Sequence, residues 1–176
     1  MSRPQALFGS LLFLIMAPGS VAGLLPWWLT QWRVQLPFLG IPLIPWIGAI
    51  FLSCGIVVLL ECFFRFAWSG RGTPAPVAPT QSLMVSGLYR FVRNPMYVAV
   101  LLLIAGQALW LGSSALLLYG AGVWLMFHSV VVFYEEPTLR HRYDESYAAY
   151  CDAVPRWLPR LAPWRGDGAI AQPPLR

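Results

Sequence analysis

Two short polar clusters interrupt an otherwise apolar chain. The first is Gly87-Leu88-Tyr89-Arg90-Phe91-Val92-Arg93-Asn94-Pro95-Met96-Tyr97, and the second is Glu135-Glu136-Pro137. Adjacent carboxylates opposite guanidinium groups either pair with one another or hold a small charged molecule. Ionisable groups at the mouth of a membrane bundle need partners or a function. Plainer roles stay open for each residue. Arg90 and Arg93 would serve as topology charges that snorkel to headgroups, Glu135 and Glu136 as helix N-terminal charges favoured by the macrodipole, and Tyr89 and Tyr97 as interfacial aromatics.

The elements that must position these clusters are apolar runs. Of 176 residues, 58% are hydrophobic and 11% are charged, and the mean hydropathy is +0.62. Soluble domains carry roughly 25% charged residues, so the solvent of this chain is lipid. The expected fold class is an all-α membrane protein of about four transmembrane helices, in one domain over residues 1–161. The spans are expected at about 6–29, 46–68, 95–111 and 115–134. The first span has a basic start at Arg3 and a signal-like Ser20-Val21-Ala22. The apolar sequence nevertheless runs on through Trp27 and Trp28, which fits a retained helix. Residues 30–45 carry Pro37, Gly40, Pro42 and Pro45 and read as a loop or re-entrant segment. Residues 69–94 form the longest hydrophilic connection.

Gly112-Ser113-Ser114 is too short for anything but an antiparallel hairpin between the third and fourth spans. That hairpin brings the two polar clusters to the same membrane depth. After it, Pro137 suits the first turn of a new helix. Leu139, Tyr143, Tyr147 and Tyr150 recur at helical spacing, which predicts an amphipathic interfacial helix over about 136–153. Residues 162–176, rich in Pro and Gly, are expected to be disordered. Arg65, Arg71, Arg90 and Arg93 flank the middle loop, and Arg140, Arg142, Arg156, Arg160 and Arg165 follow the last span. The positive-inside rule then places the N-terminus, the middle loop and the C-terminus in the cytoplasm.

Twelve basic against seven acidic residues give a net charge of +5. Because these charges flank apolar runs, they point to anionic headgroups of the lipid bilayer, and no nucleic acid is expected as a partner. Cys54, Cys62 and Cys151 lack metal-ligand or disulfide spacing and read as free thiols, and no metal site is expected. Gly120-Ala121-Gly122 sits within a span, without the strand of a nucleotide fold, and fits close helix packing.

The order of several short motifs resembles the isoprenylcysteine carboxyl methyltransferase-like family of bacterial membrane proteins, related to phospholipid N-methyltransferases. These motifs are Gly72-Thr73-Pro74-Ala75-Pro76, Ser86-Gly87-Leu88-Tyr89-Arg90, Arg93-Asn94-Pro95-Met96-Tyr97, Tyr134-Glu135-Glu136-Pro137, Tyr147-x-x-Tyr150, Val154-Pro155-Arg156 and Pro159. The resemblance covers about residues 70–160. It implies a bacterial inner-membrane enzyme that uses S-adenosylmethionine at its cytosolic face, with a small lipophilic or amphipathic acceptor. Arg93 and Glu136 become the catalytic candidates. Arg93, Asn94, Pro95, Tyr97, Glu135, Glu136, Tyr147, Tyr150 and Arg156 become the donor-binding candidates.

The donor's chemistry suits these residue types. Carboxylates stabilise its sulfonium and ammonium, and Arg93, Asn94 and Arg156 suit its carboxylate. Tyr97, Tyr147, Tyr150 and Trp157 suit its adenine. An amine or thiol acceptor would need a base, for which Glu136 and His128 are candidates, His128 and Glu135 being seven positions apart on one helix face. Asn94 departs from the family, whose eukaryotic members have histidine there, and it cannot titrate. Two rivals remain: an NADPH-dependent membrane reductase of the sterol-reductase type, against which Glu135-Glu136 argues, and a non-catalytic membrane binding protein.

Overall fold

The computed structural model describes residues 12, 14–69 and 85–165, with backbone alone at 66–69. The start of the expected first span, the Gly72–Pro76 motif and residues 166–176 lie outside the described residues. Within them the chain is helical and has no strand. Five helical segments set the frame: α1 (Leu14–Thr30), α2 (Ile44–Ser69), α3 (Pro95–Leu111), α4 (Ser114–Val130) and α5 (Glu136–Ala153).

By length and apolarity, two of these helices can cross a bilayer: Ile44–Arg65, and the continuous run Ser114–Ala153 that joins α4 to α5. Leu14–Thr30 and Pro95–Leu111 are apolar but shorter. The 17 residues of α3 extend about 26 Å, just under the ~30 Å hydrocarbon core.

Helices α2 and α3 meet along backbone. A Cβ at Gly106 would lie 2.8 Å from the Leu52 nitrogen and 2.9 Å from the Gly48 oxygen, and one at Gly48 would lie 2.8 Å from the Gly106 oxygen. Small residues that let backbones touch replace the hydrophobic drive that is missing inside lipid. The Gly120 Cβ would likewise approach Ile104 at 3.1 Å, whereas one at Gly122 would meet nothing within 4 Å. Only half of the Gly-x-Gly pair therefore packs closely.

The hairpin between α3 and α4 turns as its residues require. Gly112 takes the left-handed conformation at φ 68° and donates its backbone N–H to Ala108, a C-cap that glycine enters without a Cβ penalty. Ser113 Oγ accepts from the Leu116 N–H and caps α4. The 30–45 loop folds back onto this turn, with the Gln35 N–H donating to the Leu111 carbonyl at 2.8 Å.

Three sequence expectations change. Pro137 stands in the first turn of α5 as expected, but no break sets α5 off: Glu135 keeps helical angles and α4 runs into α5 through a π turn, Val131–Glu135. A proline lacks the N–H and crowds the carbonyl four residues back, and the wider turn just ahead of it accommodates both defects. The π turn also shifts the following side chains by roughly 100° relative to an α-helix, so the seven-residue spacing does not keep His128 and Glu135 on one helical face. Finally, the tail is placed through residue 165: Trp164 packs on Tyr150 at a tilt, with ring centroids 5.6 Å apart.

Candidate active site

The site forms where the N-terminus of α3, the start of α5 and the segment after α5 converge. The Glu136 carboxylate is its centre. Its Oε1 accepts from Arg93 Nη1 at 3.1 Å and from Arg156 Nε at 2.6 Å, and its Oε2 accepts from Arg156 Nη2 at 3.0 Å. The side chains of Glu136 and Arg93 are only 10% and 12% exposed, so this pair is nearly dry, while Arg156, at 30%, reaches solvent. Charged groups so placed hold fixed positions only when each is paired and hydrogen-bonded.

The adjacent carboxylates face different partners and sit in different electrostatic states. Burial favours the protonated form of Glu136, but the Arg156 hydrogen bond and the charges of Arg93, Arg156 and Arg140 outweigh it and hold its pKa below the usual range. Glu135 accepts a hydrogen bond from the Tyr97 hydroxyl. Burial, aided by the Glu136 charge and only partly opposed by Tyr97, pushes the Glu135 pKa up. The expectation that both acids and Arg93 converge thus divides: Glu136 joins Arg93, and Glu135 joins Tyr97.

A strap of backbone holds these groups in register. The Arg93 N–H donates to the Pro155 carbonyl, the Arg160 N–H to Phe91 and the Trp164 N–H to Arg90, each at 2.9 Å. Asn94 Nδ2 donates to the Arg156 carbonyl at 3.2 Å, and Arg90 Nε donates to the Trp164 carbonyl at 2.6 Å. Asn94 therefore ties the strap to α3. Pro95 is buried at the first turn of α3, where its fixed φ suits the helix start.

Tyr147 and Tyr150 are each 3% exposed and pack with Tyr143 and Val154. The Tyr150 hydroxyl donates to the Tyr89 carbonyl at 2.7 Å. Burial raises both phenol pKa values, so both rings stay neutral. With so little surface left they brace the strap. Trp157 keeps more surface. Its Nε1 donates to His128 Nδ1 at 3.3 Å, and Trp124 stacks on His128 at 5.4 Å. His128 is thus tied into an aromatic group.

Sequence reasoning missed two participants. Cys151 Sγ lies 2.8 Å from Arg93 Nη1, and Trp164 closes the strap from within a Pro/Gly-rich stretch. A second tryptophan seven residues after Trp157 was the available signal for the latter. Among the described residues, Arg93 Nε is buried without a hydrogen-bond partner.

A family model for phospholipid methyltransferases matches residues 43–146, from the start of α2 into α5. The cobalt-zinc-cadmium resistance protein CzcN of Cupriavidus metallidurans is 26% identical over 149 residues, covering 77% of this chain and 65% of that protein. The chain thus spans a little under two thirds of that relative's length. No solved structure matches it. The family match takes in more than half of the chain and both acidic residues of the site, and on that basis the chain belongs to the phospholipid methyltransferase family, that of the isoprenylcysteine carboxyl methyltransferase-like membrane methyltransferases.

Proposed function

We propose that this membrane protein is an S-adenosylmethionine-dependent methyltransferase that acts on a lipid-like or amphipathic acceptor. The observation that carries the reading is the unequal pair of carboxylates beside an arginine with a spare donor. Glu135 is a half-buried carboxylate next to a second negative charge, with one phenol for company. A cation placed there relieves it. Arg93 Nε is a buried donor without a partner among the described residues, and a carboxylate placed there satisfies it. One small zwitterion with a second positive centre answers both, and the methyl donor is such a molecule.

When bound, the donor supplies an electrophilic methyl group on sulfur. Everything else falls to the chain. Glu135 would hold a cationic centre and Arg93 the carboxylate, while Glu136 fixes Arg93 and Arg156 in place. Transfer is an in-line displacement, so alignment and exclusion of water supply much of the rate. A carboxylate acceptor needs no base. For an amine or thiol, Glu135 suits the task better than Glu136, because its raised pKa favours holding a proton whereas Glu136 is committed to two arginines.

We further propose four membrane crossings with the site at the cytosolic face of a bacterial inner membrane. The arginines of the middle loop and the C-terminal segment support that orientation, and the charged strap would be costly at any other depth. The relative's name speaks of metal resistance, but among the described residues no three His, Cys, Asp or Glu side chains gather, and we propose no metal site.

Calorimetric titration of the detergent-purified protein with S-adenosylmethionine tests the assignment. Glu135→Gln and Arg93→Ala should each weaken binding by 100-fold or more while the helical signal and elution volume stay unchanged. Undiminished affinity in both variants rejects the site. Donor binding without transfer of labelled methyl to any lipid, amine or thiol pool would favour a non-catalytic binding protein, a reading to which Asn94 lends support.

A further inference from the structure

A group of three rings stands next to the charged site. Trp124 and His128, one turn apart on α4, stack with centroids 5.4 Å apart. Trp157 of the strap lies tilted against both, 6.1 Å from His128 and 6.4 Å from Trp124. Trp157 directly follows Arg156, which holds Glu136. With Tyr97 it packs on the buried core that includes Phe127, and the Tyr97 hydroxyl donates to Glu135. The rings are thus on the Tyr97 and Glu135 side of the bundle. Beside them on α4, Trp124, Leu125 and Met126 are exposed along the long apolar helix.

One hydrogen bond decides what the imidazole can do. His128 Nδ1 accepts from the Trp157 indole at 3.3 Å, so in the neutral ring the proton sits on Nε2. A proton on Nδ1 as well would set two N–H groups against each other. Nε2 makes no hydrogen bond among the described residues and is not sealed inside the protein. The half-buried His128 therefore presents an open donor and no free lone pair, which removes it as a general base toward an acceptor. A donor left open at membrane depth lacks water to bond, and its supply of partners is what the bilayer carries.

We propose that His128 Nε2–H holds a carbonyl oxygen of the methyl acceptor and is a specificity-determining residue. This role rests on the methyltransferase reading given above. Depth selects which oxygen is held. His128 precedes Glu135 by seven positions, about 10 Å along the helix, so the bonded oxygen belongs on the tail side of the methylated group. Ester and amide carbonyls occupy that place in acyl-linked amphiphiles. Ether-linked and plain alkyl analogues offer a weak acceptor or none, and a site built around a hydrogen bond rejects the analogue that lacks its partner. The preferred acceptor is acyl-linked.

The test uses the full chain in nanodiscs of ether-linked phosphatidylcholine, which bring no ester carbonyl of their own. The probes are monolauroylglycerol, an ester, and its ether counterpart monododecylglycerol. With only two histidines in the chain, His128 and the exposed His141, nitrogen NMR of labelled histidine reads each ring separately. His128 should carry its proton on Nε2, and the ester should move that signal while leaving His141 in place. The ester should bind about ten-fold tighter than the ether, the worth of one hydrogen bond. Infrared spectra of the carbonyl-labelled ester should show a bound, lower-frequency band. His128→Phe should abolish that band, and His128→Gln, whose amide N–H can replace the donor, should keep it.

Equal affinity for ester and ether, a proton on Nδ1, or a bound carbonyl band that survives His128→Phe would overturn the proposal. Failure of the wild-type protein to bind S-adenosylmethionine, with the bound carbonyl band intact, would instead remove the methyltransferase reading and leave His128 as the donor of a lipid-binding site.

Discussion

The two ends of this molecule each bury a polar network beside a π turn, and the networks differ in kind. At one end, the π turn Ser20–Leu24 in α1 sits among neutral groups. Gln107 Nε2 donates to the Ala22 carbonyl at 2.7 Å, the Tyr119 hydroxyl donates to the Val21 carbonyl at 2.8 Å, and Gln107 Oε1 accepts from Trp32 Nε1 at 3.3 Å. Two successive carbonyls of the turn thus meet side chains. At the other end, the π turn Val131–Glu135 leads into two carboxylates, two arginines and a buried donor with nothing to bond among the described residues. A satisfied neutral network specifies a structure, whereas a charged network with an unfilled position is arranged for something else. Departures from local rules are expected at functional sites. Among the described residues, only the second end leaves a buried polar atom unpaired.

The largest expected effect comes from removing the centre of the charged network. Glu136→Ala leaves Arg93 and Arg156 facing each other without an anion, and breaking a buried pair in this way costs about 3–5 kcal/mol. Thermal unfolding in detergent should show a large drop in midpoint, and donor binding should vanish with it. A full-stability Glu136→Ala protein would mean that the triad is wetter than its burial implies.

Gln107→Leu attacks the neutral end and should act on stability alone. The Ala22 carbonyl loses its donor, at a cost of about 1–3 kcal/mol for a group left unpaired, whereas Trp32 Nε1 is exposed and loses little. S-adenosylhomocysteine affinity should stay within two-fold of wild type. A change in affinity comparable to that of Arg93→Ala would couple the two ends and erase the distinction drawn between them.

The contrast also explains what could be read from the sequence. Charges are conspicuous in an apolar chain, so Arg93, Glu135, Glu136 and Arg156 were legible, as were α3 at 95–111 and α5 at 136–153. The tyrosine spacing marked a buried face correctly, but spacing alone cannot separate a ring that braces a strap from one that lines a slot. The neutral end left no signal, because Gln107 and Tyr119 become partners only through a π turn that no side-chain pattern announces. Backbone contact at Gly48 and Gly106 was equally hidden: two glycines 58 positions apart mean nothing until the helices carrying them are placed. Asp144, at φ 43° within α5, bends the helix that carries Tyr147 and Tyr150. A residue type that tolerates the left-handed region only moderately well is a weak advance sign of such a bend.

The smallest effect, and the sharpest test of which acid does what, is in the pH dependence. Glu136, with its pKa lowered on folding, contributes stability that is fully present above the ordinary glutamate value of 4.5 and is lost as pH falls through its folded value. Glu135 has the opposite sign. Its raised pKa means that the folded state holds the proton more tightly, so its contribution is present below 4.5 and fades as pH rises through the folded value. Within that upper window Glu135 gains its charge while Glu136 and the arginines do not change theirs. If the donor's cation meets Glu135, affinity must rise with pH there, by at most ten-fold per pH unit, or about 1.4 kcal/mol. Isothermal titration between pH 4.5 and 8 should show that rise in the wild type and a flat line for Glu135→Gln. A slope that survives the substitution would transfer the cation to another group and leave Glu135 a structural partner of Tyr97.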